Sequence, residues 1–273
     1  WNANTSECEH ILKGHTGWIW GLDISADGNK LVSCSWDCTA KIWDMSTGNC
    51  LHTLIRHKQK LLACAFNPDS KRILTASADG TAKLWDSDTS NCLQTLKGHS
   101  EKVTSCSFSP DGKSILTASA DGTAKLWDSD TGNCINTLKG HTSSITQCAF
   151  SPEGTKILTI AADNVIRVWD SPSGTCKLEF GEHTDWITGG LFLSNSNLIA
   201  SSSVDGLINI WDYTTGLIIA KFPTGGETLC LDVAPNKRLI AGDISGTFYI
   251  LKAHFPENQV KKNKNSSGQL KNA

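Results

Sequence analysis

A period of 42 residues constrains this chain more than any other feature. Trp43, Trp85, Trp127, Trp169 and Trp211 stand 42 apart, and each is followed by Asp. Counting back one more period reaches Trp1, and residues 1–15 align with 43–57 without a gap. Self-similarity at a period of roughly 20–50 residues means one supersecondary unit stacked on copies of itself, because no copy buries its apolar face alone. The start falls inside a unit. Residues 1–7 close a repeat whose beginning is expected upstream, so the chain reads as a fragment of something longer.

Within a unit the hydrophobic pattern has a period of two. In the third full copy residues 103–108 alternate, Ser-Pro-Asp-Gly follows at 109–112, and runs at 114–119, 123–127 and 134–138 are separated by Asp-Gly-type turns. Such runs, rich in Ile, Val, Leu and Thr, are hairpin signals, and no segment carries a sustained helical period. Four antiparallel strands per unit make a blade, and the expected fold class is all-β: a β-propeller of four-stranded blades over residues 1–252. Six outer strands (starting near 8, 50, 92, 134, 176 and 218) and six inner triplets are counted. The full ring number stays open between six, seven and eight.

Composition narrows the function. Hydrophobic residues are 39% and charged residues 19%, which supports a packed core and excludes wholesale disorder. A formal net charge of −2 argues against nucleic acid and membrane surfaces as partners. No apolar run approaches the roughly 18 residues of a membrane span, and residues 1–30 show no signal-peptide pattern. The eleven cysteines follow the repeat: Cys8, Cys50, Cys92, Cys134 and Cys176 are 42 apart, as are Cys64, Cys106 and Cys148. Equivalent positions in separate copies stay one unit apart, so no disulfide framework is expected, and no paired CxxC suggests zinc. Cys34 and Cys38 read as small packing residues. So many free thiols fit a reducing compartment, and a cytoplasmic location is the expectation. After Leu251 the chain turns polar, with Lys261, Lys262, Lys264 and Lys271. Residues 253–273 are expected to be a disordered tail, with a nuclear-import signal as the alternative.

In each of the first five repeats a His, a Ser or Thr, an Asp and a Trp recur at fixed offsets. The sets are His15, Ser33, Asp37 and Trp43; His57, Thr75, Asp79 and Trp85; His99, Thr117, Asp121 and Trp127; His141, Thr159, Asp163 and Trp169; and His183, Ser201, Asp205 and Trp211. A hydroxyl, an imidazole and a carboxylate also compose a hydrolase triad, but a catalytic site is singular and five copies imply a structural device. Gly-His followed by Trp-Asp at this spacing resembles the WD-repeat family, over residues 1–252. The resemblance implies a buried hydrogen-bond chain from indole to hydroxyl to imidazole to carboxylate in each blade. The sixth repeat is two residues shorter, lacks the Gly-His, and reads Ala241, Ser245 and Leu251 where Ser, Asp and Trp are expected. It is expected to be held by packing alone or to close the ring loosely.

No phosphate loop, HExxH, GxSxG or kinase motif is present, so no catalytic residue, cofactor or metal site is assigned. A propeller enzyme is the third reading, behind two interaction readings. The family resemblance implies that the residues three and five positions after the His, and the one before the turn Asp, face the top of the ring. Those are Trp18, Trp20 and Trp36 in the first repeat, then Lys60 and Leu62, Lys102 and Thr104, Ser144 and Thr146, and Trp186 and Thr188. The turn-preceding alanines Ala78, Ala120 and Ala162 leave room for a partner. Four exposed Trp are the composition of a protein-binding surface; the alternative is that they cover neighbouring blades. The stretch from Phe222 to Leu251, with its Thr-Gly-Gly-Glu-Thr loop, and His183-Thr-Asp-Trp186-Ile-Thr are similar to the last blades of the apoptotic protease-activating factor family. That resemblance implies the sensor and autoinhibitory part of a nucleotide-driven signalling protein, with cytochrome c as partner and Asp185 and Glu227 as contributors. The alternative is a stand-alone adaptor in a ubiquitin-ligase or chromatin complex.

Overall fold

The computed structural model describes residues 5–193, 197–234 and 238–252, and every regular element in them is a strand. The expected tail at 253–273 lies outside the described residues, as does Trp1. In the third copy Val103–Phe108, Ser114–Ser119, Thr123–Asp128 and Cys134–Lys139 pair antiparallel in sequence order as one four-stranded sheet. Turn chemistry sets the hairpins. Gly122 ends the Asp-Gly turn at φ 77°, a left-handed conformation that costs a residue without Cβ little. Cys38 and Asn164 hold the same conformation in the first and fourth copies, at φ 69° and 61°. Cys38 was expected to be a packing residue; it is instead a half-buried turn residue, whereas Cys34 is buried in the core.

Six such sheets follow one another as blades, spanning 19–54, 61–97, 103–139, 145–180, 187–223 and 228–252. The first five have four strands and the sixth has three. Each blade buries one face on the next. Val32, Cys34 and Ile42 of blade 1 pack with Leu61, Phe66, Ile73 and Trp85 of blade 2. The same combination recurs between blades 2 and 3, 3 and 4, and 4 and 5, while between blades 5 and 6 it thins to Ala200, Ile210 and Leu239 with partly buried Leu231, Val233 and Leu251. Each fully buried aliphatic side chain contributes roughly 1.5–3 kcal/mol, so the core is a set of equivalent interfaces rather than one centre.

The two ends of the series differ. Phe248 of blade 6 is 63% exposed, whereas the equivalent Ile208 of blade 5 is at 0%. Ile24 of blade 1 is 53% exposed, against 7% for the equivalent Phe66. These are the faces that a neighbour covers in every other blade. The outer strand expected near residue 8 is also not formed; among the described residues five outer strands are present. A strand needs a ladder of N–H and C=O partners; every outer strand here pairs with the third strand of its own blade, and among the described residues no third strand pairs with the residues near 8. His10 nevertheless docks where an outer-strand side chain belongs. Its Nε2 lies 3.0 Å from the Ser46 carbonyl, just as Gln94 of blade 2 donates to the Asp130 carbonyl at 2.6 Å.

Candidate interaction face

The five recurring sets form five polar chains. In blade 3 the Trp127 indole N–H donates to Thr117 Oγ1 at 2.8 Å, that hydroxyl reaches His99 Nε2 at 2.8 Å, and His99 Nδ1 meets Asp121 at 2.9 Å. The chains from Trp43 to Asp37, Trp85 to Asp79, Trp169 to Asp163 and Trp211 to Asp205 have the same order. Each Asp also accepts the backbone N–H of the residue after the His, at 2.9–3.0 Å. The carboxylate therefore ties the turn of a blade to the loop that enters it. The hydroxyls of Thr75, Thr117, Thr159 and Ser201 are buried and engaged on both sides, so no substrate reaches them and none is a nucleophile.

Electrostatics agrees with this order. Burial holds the His57, His99, His141 and His183 imidazoles below their ordinary pKa, against the opposing pull of their carboxylates. The neutral rings of His57, His99 and His183 then take one tautomer, with Nδ1–H toward Asp and Nε2 accepting from the hydroxyl. Burial alone would raise the Asp79 and Asp121 carboxyls. Hydrogen bonds from Thr81, Lys58 N–H and His57, and from Thr123, His99 and Ser100 N–H, instead bring each down to about 2.

One repeated contact escaped the sequence reading. Lys41, Lys83 and Lys125, on the third strand of their blades, donate to Thr53, Thr95 and Thr137 on the fourth at 2.9–3.0 Å. In blade 4 the pair becomes Arg167 and Glu179, and Arg167 also comes within 2.6 Å of His141. The signal was present as a Lys two residues before Trp43, Trp85 and Trp127 with a Thr twelve positions on from each Lys.

Blade 6 corrects an expectation. It is not held by packing alone. Asp243 accepts the Ser245 and Thr247 backbone N–H groups at 3.0 and 2.9 Å, and the Tyr249 hydroxyl donates to its other oxygen at 2.9 Å. The same hydroxyl accepts the Gly225 N–H at 2.6 Å. A carboxylate and a tyrosine thus join turn to loop where His and Asp do so elsewhere.

The proposed top-face positions share one end of every blade. The Trp36 backbone N–H donates to the Trp18 carbonyl, and the same backbone bond joins Ala78 to Lys60, Ala120 to Lys102, Ala162 to Ser144, Val204 to Trp186 and Ile244 to Glu227. Trp18 and Trp20 are 69% and 55% exposed, and Trp186 is exposed. Trp36, expected at the surface, is half-buried because both of its neighbours stack on it, with ring centroids 4.8 and 5.2 Å away. Lys60 Nζ from blade 2 lies 3.9 Å from the Trp36 ring centroid. Lys102, Asp185 and Glu227 are exposed, and Ser144 and Leu62 are half-buried. Thr104, Thr146 and Thr188 turn their hydroxyls to the carbonyls of Ile145, Ile187 and Thr228 in the next blade, which makes them blade-to-blade links.

A radial series of antiparallel blades, five of them tied by a buried polar chain and all presenting side chains at one common end, defines a repeat β-propeller of the kind suited to protein interaction. The family model of the WD domain, G-beta repeat, matches residues 6–44, 48–86, 90–128, 132–170 and 174–212, and the chain belongs to that family. It is also similar to Nuclear distribution protein PAC1 of Arthroderma benhamiae and of Trichophyton verrucosum, 44% identical over 43 residues in each case. Those matches cover 16% of this chain and 9% of the relatives' own length.

Proposed function

We propose that this chain is a protein-interaction platform that acts in the cytoplasm and engages its partner through the top face, with the blade 1 indoles as anchor. The observation that carries the reading is the stack itself. Two largely exposed Trp are held on a third and flanked by Lys60, an arrangement rich in interface anchors and lacking any role in the blade's own core. The test is quantitative affinity capture from cell extract with the wild type, Trp18→Ala, Trp20→Ala and an outer-strand control, Leu93→Ala. The indole variants should keep the wild-type melting temperature and lose about 2 kcal/mol or more of affinity for the main partner. Unchanged capture with lowered stability would show the cluster to be core.

A second reading follows the apoptotic-factor resemblance, and the exposed carboxylates Asp185 and Glu227 on blades 5 and 6 favour it. They would face a basic partner such as cytochrome c. Calorimetry with cytochrome c should then show binding that Asp185→Asn and Glu227→Gln weaken; no heat of binding excludes it. The adaptor reading keeps the same face and needs no cytochrome c. The 43-residue similarity to nuclear distribution proteins supports the repeat and carries no role of theirs.

A further inference from the structure

The charges around the blade 1 stack are not balanced within the protein. Among the described residues Lys58, Lys60 and Lys102 are exposed and form no salt bridge. The turn carboxylates of blades 1 and 2, Asp37 and Asp79, are already taken by His15 and Thr16 N–H and by His57 and Lys58 N–H. Glu101 is the exposed counter-charge on the same arc. The Trp36 indole N–H lies buried in the stack with no acceptor. That N–H is closed off by the stack, so the donor open to an incoming group is the exposed Lys60 ammonium over the ring, and a carboxylate is the acceptor that suits it. A Lys or Arg of a partner would meet the Lys60 ammonium already seated at Trp36, and like charges repel. Beyond Trp36 the equivalent turn positions are Ala78 and Ala120, so the surface steps down from an indole wall to a low floor beside Lys60 and Lys102.

Resting on the platform reading above, we infer that this arc takes an extended acidic segment of a partner protein. An aromatic or large apolar side chain packs on Trp18 and Trp20, and carboxylates two or more residues along reach Lys60 and Lys102. The outer faces of the two indoles supply the apolar contact, and the lysines fix direction along the rim.

Three fluorescein-labelled octapeptides of one design test this: Phe flanked by three Asp, the same with Asn for Asp, and the same with Lys for Asp. Binding is read by anisotropy and by quenching of tryptophan emission at two salt concentrations. The acidic peptide should bind at least tenfold more tightly than the other two, with a preference that shrinks as salt rises. Lys60→Glu should erase or reverse the preference, Trp18→Ala should weaken all binding tenfold, and Trp186→Phe should change nothing. Equal affinity for the three peptides, a preference for the Lys peptide, or displacement by an oligonucleotide as readily as by peptide overturns the inference. If the Trp18→Ala variant still loses its captured partner while the peptides show no charge preference, the platform stands and the acidic chemistry falls.

Discussion

Blades 3 and 6 solve one problem with different chemistry. In blade 3 the loop supplies His99, the turn supplies Asp121, and Thr117 bridges them to Trp127 on the third strand. In blade 6 the third strand supplies Tyr249, and the carboxylate sits two residues earlier, at Asp243, where blade 3 has Ser119. Both devices join the turn to the entering loop through a chain of polar groups. The difference is depth. The blade 3 chain runs inward to a buried indole, whereas the blade 6 chain stops at a half-buried phenol beside the exposed Phe248. What a blade requires is a satisfied connection from turn to loop; the histidine is one way to make it.

The largest expected effect comes from cutting the deep chain at its centre. Thr117→Val keeps the shape but leaves the Trp127 N–H and His99 Nε2 without partners in a site closed to water. Orphaned buried polar groups cost roughly 1–3 kcal/mol each, so the loss should be about 3 kcal/mol in urea unfolding. His99→Ala and Asp121→Ala remove an end of the chain and should cost about 2 kcal/mol each. If any of these variants keeps wild-type stability, the polar chain is not what holds the blade.

Acidification sharpens the contrast without mutation. His57, His99, His141 and His183 bind protons more weakly in the fold than their ordinary value. Their contribution is therefore complete above about pH 6.5 and is lost as pH falls through the lower folded values. Asp79 and Asp121, brought down to about 2, contribute fully above about pH 4 and lose that only between there and 2. The blade 6 tie has no histidine, and its Asp243, lowered first by the Ser245 hydroxyl, responds only in the carboxylate window. From pH 7 to pH 5, hydrogen exchange corrected for its intrinsic rate should accelerate in blades 2–5 and stay level in residues 238–249. A uniform change across all six blades would falsify the assignment of the effect to the histidines.

The comparison also explains what could be read from the sequence. The blades and their five chains were legible because the period repeats them: Trp127 and Trp85 occupy one role, and a role that recurs names its residues. Blade 6 was opaque for the same reason. Alignment looks for Asp at 245, but the working carboxylate is Asp243, and its partner Tyr249 stands at the register of Lys125. The exposure of the Ile24 and Phe248 faces was equally invisible, because a pattern shows which side chains are apolar and not whether a neighbour arrives. Trp36 was expected at the surface, yet its half-burial depends on two other indoles folding over it, which no spacing within one strand announces.

The smallest expected effect tests whether the blade 6 device matters at all. Tyr249→Phe removes one hydroxyl that donates to Asp243 and accepts from Gly225 N–H. Because this site is only half-buried, water replaces part of what is lost, and the global cost should be about 1 kcal/mol or less, under half that of Thr117→Val. The local signature should be clearer than the global one. Residues 228–251 should already exchange faster than the strands of 102–128 in the wild type, since a shallow chain and one uncovered face leave the blade closer to local opening. In Tyr249→Phe the amides of 225–227 and 243–247 should quicken further while 102–128 does not move. Equal protection of the two blades before mutation would mean that packing supports a blade as well as the deep chain does. An unchanged 225–227 after mutation would mean that the loop is held by Thr224, whose hydroxyl lies 2.9 Å from the Gly206 carbonyl and 2.8 Å from that of Gly226, and that Tyr249 is incidental to it.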